Sequence, residues 1–106
     1  MQSKKYKIKF TSKASYDLDE ILSYMKNELY SDSSAKKFLE SAESKIMNLS
    51  EFPFSCNYVS DDFLKRKGYR KLIVDNYIIF YIVNENSKIV IIMRILYGSR
   101  KYQEFL

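Results

Sequence analysis

The chain has 106 residues, 18 of them basic and 13 acidic, for a net charge of +5. That length suits one domain, residues 1–106, with one core, and excludes two. An apolar fraction of 46% excludes a disordered chain, and the absence of histidine excludes His triads, His-ligated zinc and imidazole acid–base chemistry.

Cys56 is the only cysteine, so no intrachain disulfide forms. Met1-Gln2-Ser3-Lys4-Lys5 leads into a lysine-alternating stretch and not an apolar run, which predicts no signal peptide. The longest apolar runs, Tyr77–Val83 and Ile89–Met93, are far too short for a membrane span. These features predict a soluble cytoplasmic protein without membrane contact. The sequence points to no metal and no cofactor. The basic balance favours an acidic partner, either nucleic acid or an acidic protein.

Lys5 to Thr11 alternates strictly. Tyr6, Ile8 and Phe10 share one face, and Lys5, Lys7 and Lys9 the other, which predicts a half-buried strand. Lysines on such a face guard an edge strand against aggregation. Thr11 or Ser12 offers an N-cap. Ala14, Leu18, Ile21, Leu22, Met25 and Leu29 then recur at helical spacing, and the pattern ends near Tyr30. Asp17, Asp19 and Glu20 read as first-turn complements to the helix dipole, with acid chemistry at Asp17 or Glu20 the alternative. Ser31-Asp32-Ser33 provides a turn and a second N-cap. Ala35, Phe38, Leu39, Ala42, Ile46 and Leu49 repeat the helical stripe up to Pro53. Two helices on a short polar link make an antiparallel hairpin.

Phe54 to Lys67 reads as irregular, punctuated by Gly68. Tyr69–Val74 reads as a strand and Asp75-Asn76 as a two-residue hairpin turn. Tyr77–Val83 is continuously apolar, as in a central strand covered on both faces. Asn84–Ser87 is a turn, and Ile89–Tyr97 is a last buried strand. Short turns require antiparallel pairing. The predicted fold class is α+β: an N-terminal strand, a helical hairpin and a three-stranded antiparallel meander, with the helices packed on one face of the sheet.

Several residues carry two readings. Arg94, among apolar neighbours in the last strand, predicts a buried or half-buried ion pair with a carboxylate. Lys65, Arg66, Lys67, Arg70 and Lys71 form either a phosphate- or acidic-partner patch or a solvated loop and strand edge. Tyr69, Tyr77, Tyr97 and Tyr102 are stacking candidates for bases, or amphipathic core and rim residues. Gly98 marks a sharp turn after the last strand, and Arg100 and Lys101 project beyond it. Cys56 has no basic neighbour in sequence and is given no role.

Five stretches carry a family resemblance: the first strand ending "FTSKASYDLDEILSYM", then "SAKKFLESAESKIMNLSEFP", "GYRKLIVDNYIIFYIVNE", "KIVIIMRILYG" and "SRKY". In this order, from Tyr6 to Tyr102, they resemble the RelE/ParE superfamily of bacterial toxins from type II toxin–antitoxin systems, of the plasmid-stabilisation type. The resemblance implies a helical hairpin on a small antiparallel sheet. It implies growth arrest relieved by a cognate antitoxin, usually acidic and partly disordered until it folds onto the toxin.

The superfamily divides by target. RelE-like members cut messenger RNA on the ribosome, whereas ParE-like members poison DNA gyrase. For the nuclease branch the resemblance implies Arg100 as the arginine after the last strand, Lys71 as the lysine on the first meander strand, and Tyr102 as the C-terminal tyrosine. The arginine of RelE-like enzymes on the middle strand falls at Ile78, and removing one such cation costs ~100-fold or more in rate. The wholly apolar middle strand favours the ParE-like branch. A non-toxic basic RNA-binding or ribosome-associated module is a further reading, since fold does not fix function.

Overall fold

The computed structural model describes residues 5–28 and 31–106. Strand β1 spans Lys7–Phe10, α1 Ser12–Asn27, α2 Asp32–Glu51 and α3 Asp62–Arg66. Strands β2 (Arg70–Val74), β3 (Tyr77–Asn84) and β4 (Ile89–Tyr97) follow, then a single 3₁₀ turn at Tyr102–Glu104. The expected ends of the first helical stripe, Leu29 and Tyr30, and the leading Met1–Lys4 lie outside the described residues.

Capping fixes where both long helices begin. Thr11 Oγ1 accepts from the Ala14 amide at 3.0 Å, and Ser31 Oγ accepts from the Ser34 amide at 3.1 Å. The two apolar stripes face the sheet, with Ala14, Ile21, Phe38, Ala42, Ile46 and Leu49 all buried.

The sheet order is β1-β4-β3-β2. The β2–β3–β4 meander is antiparallel, and the turn at Asp75-Asn76 puts Asp75 at a positive φ of 54°. Strand β1 pairs with β4 in parallel, Lys7 opposite Ile89 and Phe10 opposite Ile92. Periodicity locates β1 but not its partner. At the sheet edge its Lys7 and Lys9 are exposed, as an edge-guarding role requires.

A bulge in β4 sets the faces of its second half. Tyr81 pairs with Ile92 and Phe80 with Arg94, leaving Met93 as the extra residue. Ile92 and Ile95 therefore both belong to the main core beneath the helices. Arg94, opposite Phe80, is turned to the outer face.

The stretch read as irregular has structure. Asn57–Val59 runs beside the start of β2, with a Tyr58–Arg70 bridge, and Asp61 caps α3 through the Leu64 amide at 3.0 Å. Val59, Leu64, Tyr69, Phe80 and Leu96 form a second, smaller core on the outer face, against which Tyr102, Phe105 and Leu106 pack. Tyr102 lies over Phe80 with ring centroids 5.1 Å apart. The sheet thus carries the helical hairpin on one face, and α3 with the C-terminal tail on the other.

Candidate functional site

The predicted basic residues separate into three places. Lys65, Arg66 and Lys67 are exposed at the end of α3 and its cap. Arg70 is held by packing: its Nη1 donates to the Cys56 carbonyl at 2.7 Å, and its guanidinium lies 4.0 Å from the Tyr58 ring centroid and 5.1 Å from that of Phe54. Lys71 is opposite Phe80, so it points to the outer face, half-buried. Arg100 and Lys101 are exposed beyond β4, with the Arg100 guanidinium 5.0 Å from the Phe105 ring centroid. Among the described residues the ion pairs are Lys5–Glu51 and Arg94–Asp17, and none involves these cations.

Tyr102 is a packing residue. Besides covering Phe80, its hydroxyl is 3.4 Å from Ser60 Oγ. Among the described residues no hydrogen bond or ion pair joins any two of Lys71, Arg100 and Tyr102. A base, a phosphate clamp and an acid acting on one ribose would have to converge on the substrate's reacting atoms rather than on one another.

Arg94 does form an ion pair, and its carboxylate is Asp17. Arg94 Nε and Nη2 donate to the two oxygens of Asp17 at 2.7 and 2.9 Å, and Nη1 donates to the Phe105 carbonyl at 3.3 Å. Hydrogen bonding to Asp17 raises the Arg94 pKa and outweighs the opposing effect of burial. Asp17 Oδ2 also accepts the Ile95 amide at 2.9 Å. This bond falls where β1 has ended, so the carboxylate satisfies an edge amide of β4 that no strand covers. Next to it Thr11 donates its amide to the Ile92 carbonyl and its hydroxyl to the Met93 carbonyl.

The dipole reading of Asp17 is therefore corrected: the residue serves tertiary structure, and the first turn of α1 holds no acid. A signal was present in the sequence. Position 17 falls between Ala14, Leu18 and Ile21 on the buried stripe, where a carboxylate requires a partner.

Beside this clamp an open cleft of about 520 Å³ runs between α1 and the end of β4. Tyr24, Tyr77 and Tyr97 line it, with Glu20 and Arg100 as its charged groups besides Asp17. Tyr77 and Tyr97 meet edge to face at 5.5 Å. Burial, then the neighbouring Tyr24 and Tyr97, raise the Tyr77 pKa above its ordinary value. Burial also raises Tyr69, and raises Tyr81 further still with help from the Cys56 thiol. Every one of these shifts moves a tyrosine pKa further above neutral pH and holds the phenol protonated, the opposite of what a general base needs.

Gly98 sits in the expected sharp turn after β4, closed by the Arg100 amide donating to the Tyr97 carbonyl at 3.0 Å. Its φ is not left-handed, and its amide donates to the Asn76 carbonyl at 2.7 Å. A Cβ there would lie 3.1 Å from the same oxygen. The close approach of these two strand ends leaves little room for a Cβ at this position. Gly68, at φ +92°, is the residue that needs glycine's conformational freedom.

The fold has close relatives among solved structures. A toxin–antitoxin system described as chromosomal ParDE from P. aeruginosa aligns at 22% identity and TM-score 0.70, covering 90% of this chain and 98% of that one. The toxin–antitoxin complex RelBE2 from Mycobacterium tuberculosis aligns at 18% and 0.60, covering 88% and 98%. The archaeal RelE-RelB complex from Pyrococcus horikoshii OT3 aligns at 14% and 0.53, covering 91% and 98%. No curated protein matches at the sequence level. Residues 8–102 match the family described as ParE toxin of type II toxin-antitoxin system, parDE. With nearly its whole length matched, the chain belongs to the ParE toxin family of type II toxin–antitoxin systems.

Proposed function

We propose that this toxin arrests growth by binding and inhibiting DNA gyrase, with no nuclease chemistry of its own. The covered outer face of the sheet carries the reading. In this chain that face holds Lys71, Phe80 and Arg94 side by side across three strands. Phe80 is fully buried beneath Tyr102, and Arg94 is occupied by Asp17 and the Phe105 carbonyl. A phosphate would have to displace both contacts. Ile78 supports the same conclusion, because the resemblance to RelE-like nucleases would put an arginine there.

The neutralising partner in this reading is an acidic antitoxin, partly disordered when free, that folds on binding. An apolar groove where β1, α1 and α2 meet suits the apolar face of its helix. The groove is lined by Ile8, Phe10, Leu18, Leu39, Ile46 and Met47, and Met47 is 57% exposed. The toxin's positive charge would speed encounter with an acidic chain.

A supercoiling assay with purified toxin and gyrase tests the target, with loss of supercoiling activity the expected result. Undiminished activity at a large molar excess of toxin would reject it. Primer extension on messages after induction provides the second arm: intact messages are expected during arrest, whereas codon-linked cuts would favour ribosome-dependent cleavage.

A further inference from the structure

We propose that the surface from Phe54 to Lys71 binds single-stranded nucleic acid, stacking bases on its exposed aromatic rings and pairing phosphates with its cations. The inference goes beyond gyrase inhibition and does not depend on it.

The charge is concentrated here. Lys65, Arg66, Lys67, Arg70 and Lys71 stand against Asp61 and Asp62, leaving three of the chain's five net positive charges in this segment. One of the carboxylates, Asp61, is already used as the cap of α3.

The rings lie beside the cations around the β2 edge of the sheet, Phe54 and Tyr58 with Arg70 toward the helix-bearing face, and Phe63 with Lys67 toward the outer face. Phe54, Tyr58 and Phe63 are 45%, 42% and 58% exposed. Arg70 lies over both Phe54 and Tyr58, and Lys67 Nζ lies 4.5 Å from the Phe63 ring centroid. An acidic peptide needs only the cations. Exposed rings beside cations are what successive bases and phosphates require, because every base presents a π-face.

The surface is also preformed. The Lys71 amide donates to the Asn57 carbonyl, the Val59 amide to Tyr69 and the Tyr69 amide to Leu64, which ties loop, α3 and β2 into one unit. Val59, Leu64 and Tyr69 are buried beneath as its anchors. Little ordering of the protein would therefore accompany binding.

Fluorescence anisotropy tests this with labelled dT and rU dodecamers, a twelve-base-pair duplex, and polyglutamate as competitor. Both single strands should bind more tightly than the duplex. Their affinity should fall with salt at a log–log slope of about −0.7 for each phosphate neutralised. The ratio of dT to rU affinity assigns DNA or RNA as the preferred source.

Phe63→Ala should weaken binding about fivefold or more with the salt slope unchanged. Paired Arg66→Glu and Lys67→Glu should weaken it and flatten the slope. Phe63→Leu separates loss of the ring from loss of apolar bulk, and circular dichroism melts confirm that each variant is folded. Absence of binding at 50 mM salt would overturn the proposal. So would equal affinity for the duplex, indifference to the loss of the Phe63 ring, or displacement by polyglutamate at equal charge. Since the assay contains no gyrase, either reading can fail alone.

Discussion

Asp17 and Arg94, 77 residues apart in sequence, meet through paired hydrogen bonds of 2.7 and 2.9 Å at the end of the β1–β4 ladder. The two side chains are only 10% and 16% exposed. Together they tie α1, β4 and the C-terminal tail to one another. Asp17→Ala leaves a largely buried guanidinium and the Ile95 amide without their acceptor. The expected loss is about 3–5 kcal/mol, the range for breaking one side of a buried pair. Urea denaturation measures it. A loss under about 1 kcal/mol would show that water replaces the carboxylate.

The tail acts as a lid on the second core. Removing Tyr102–Leu106 uncovers Phe80 and takes away the acceptor that Phe105 offers to Arg94. We expect a loss of about 2–4 kcal/mol from the apolar area returned to water, with increased binding of a hydrophobic dye. Unchanged stability would assign the outer core to α3 alone.

Tyr81 is fully buried, and its hydroxyl donates to the Pro53 carbonyl at 3.0 Å. Its folded pKa is raised above the ordinary value of 10.0, as are those of Tyr69 and Tyr77. The unfolded chain therefore loses these phenolic protons first. The stabilisation they carry is complete below about pH 10. It declines above that pH by at most ~1.4 kcal/mol per pH unit for each tyrosine, until the folded state ionises as well. Tyr81→Phe should cost about 1 kcal/mol at neutral pH and make the alkaline decline shallower. Chemical denaturation at pH 8, 10 and 11 checks both effects.

Tyr102→Phe removes only a hydroxyl at 3.4 Å from Ser60 and keeps the ring on Phe80. Stability should change by less than about 0.5 kcal/mol. If gyrase binding is the activity, growth arrest should persist in this variant. Loss of arrest with unchanged stability would give the hydroxyl a chemical role and favour the nuclease reading.

Gly68→Ala and Gly98→Ala destabilise for different reasons. The first forces a side chain into φ +92°, and the second places a methyl group 3.1 Å from the Asn76 oxygen. Gly68→Ala should cost about 1 kcal/mol or more in thermal unfolding, and Gly98→Ala less, because a shift of a few tenths of an ångström at Asn76 accommodates the methyl group. A proline-free change in the hairpin turn that lets Asn76 shift should relieve only Gly98→Ala.

Local patterning was enough to read both helices and all four strands, because their spacing follows from which face is buried. It did not reveal that β1 pairs with β4 in parallel, since a period-2 pattern carries no information about the partner. The helix at Asp62–Arg66 is only five residues long, too short for an apolar period to show, and its stability comes from the Asp61 cap and the burial of Leu64. Asp17 resembled an ordinary first-turn acid because its partner lies in the last strand. Arg94 was legible as half of an ion pair because a charge within a buried strand demands one. The aromatic surface was half visible: the cations form a run, whereas Phe54, Tyr58 and Phe63 join them only after the chain folds back along β2.

The parallel pairing also governs the order of assembly. Among the described residues the first strand pairs only with the last, so β1 has no ladder until residues up to Ile92 have been synthesised. Synthesis proceeds from the N-terminus, and contacts of such separation are slow to close. The sheet is therefore completed only after β4 has been translated. A truncated or stalled chain keeps its first strand unpaired and its Asp17 without Arg94. For a toxin, this wiring confines the completed fold to chains read through β4.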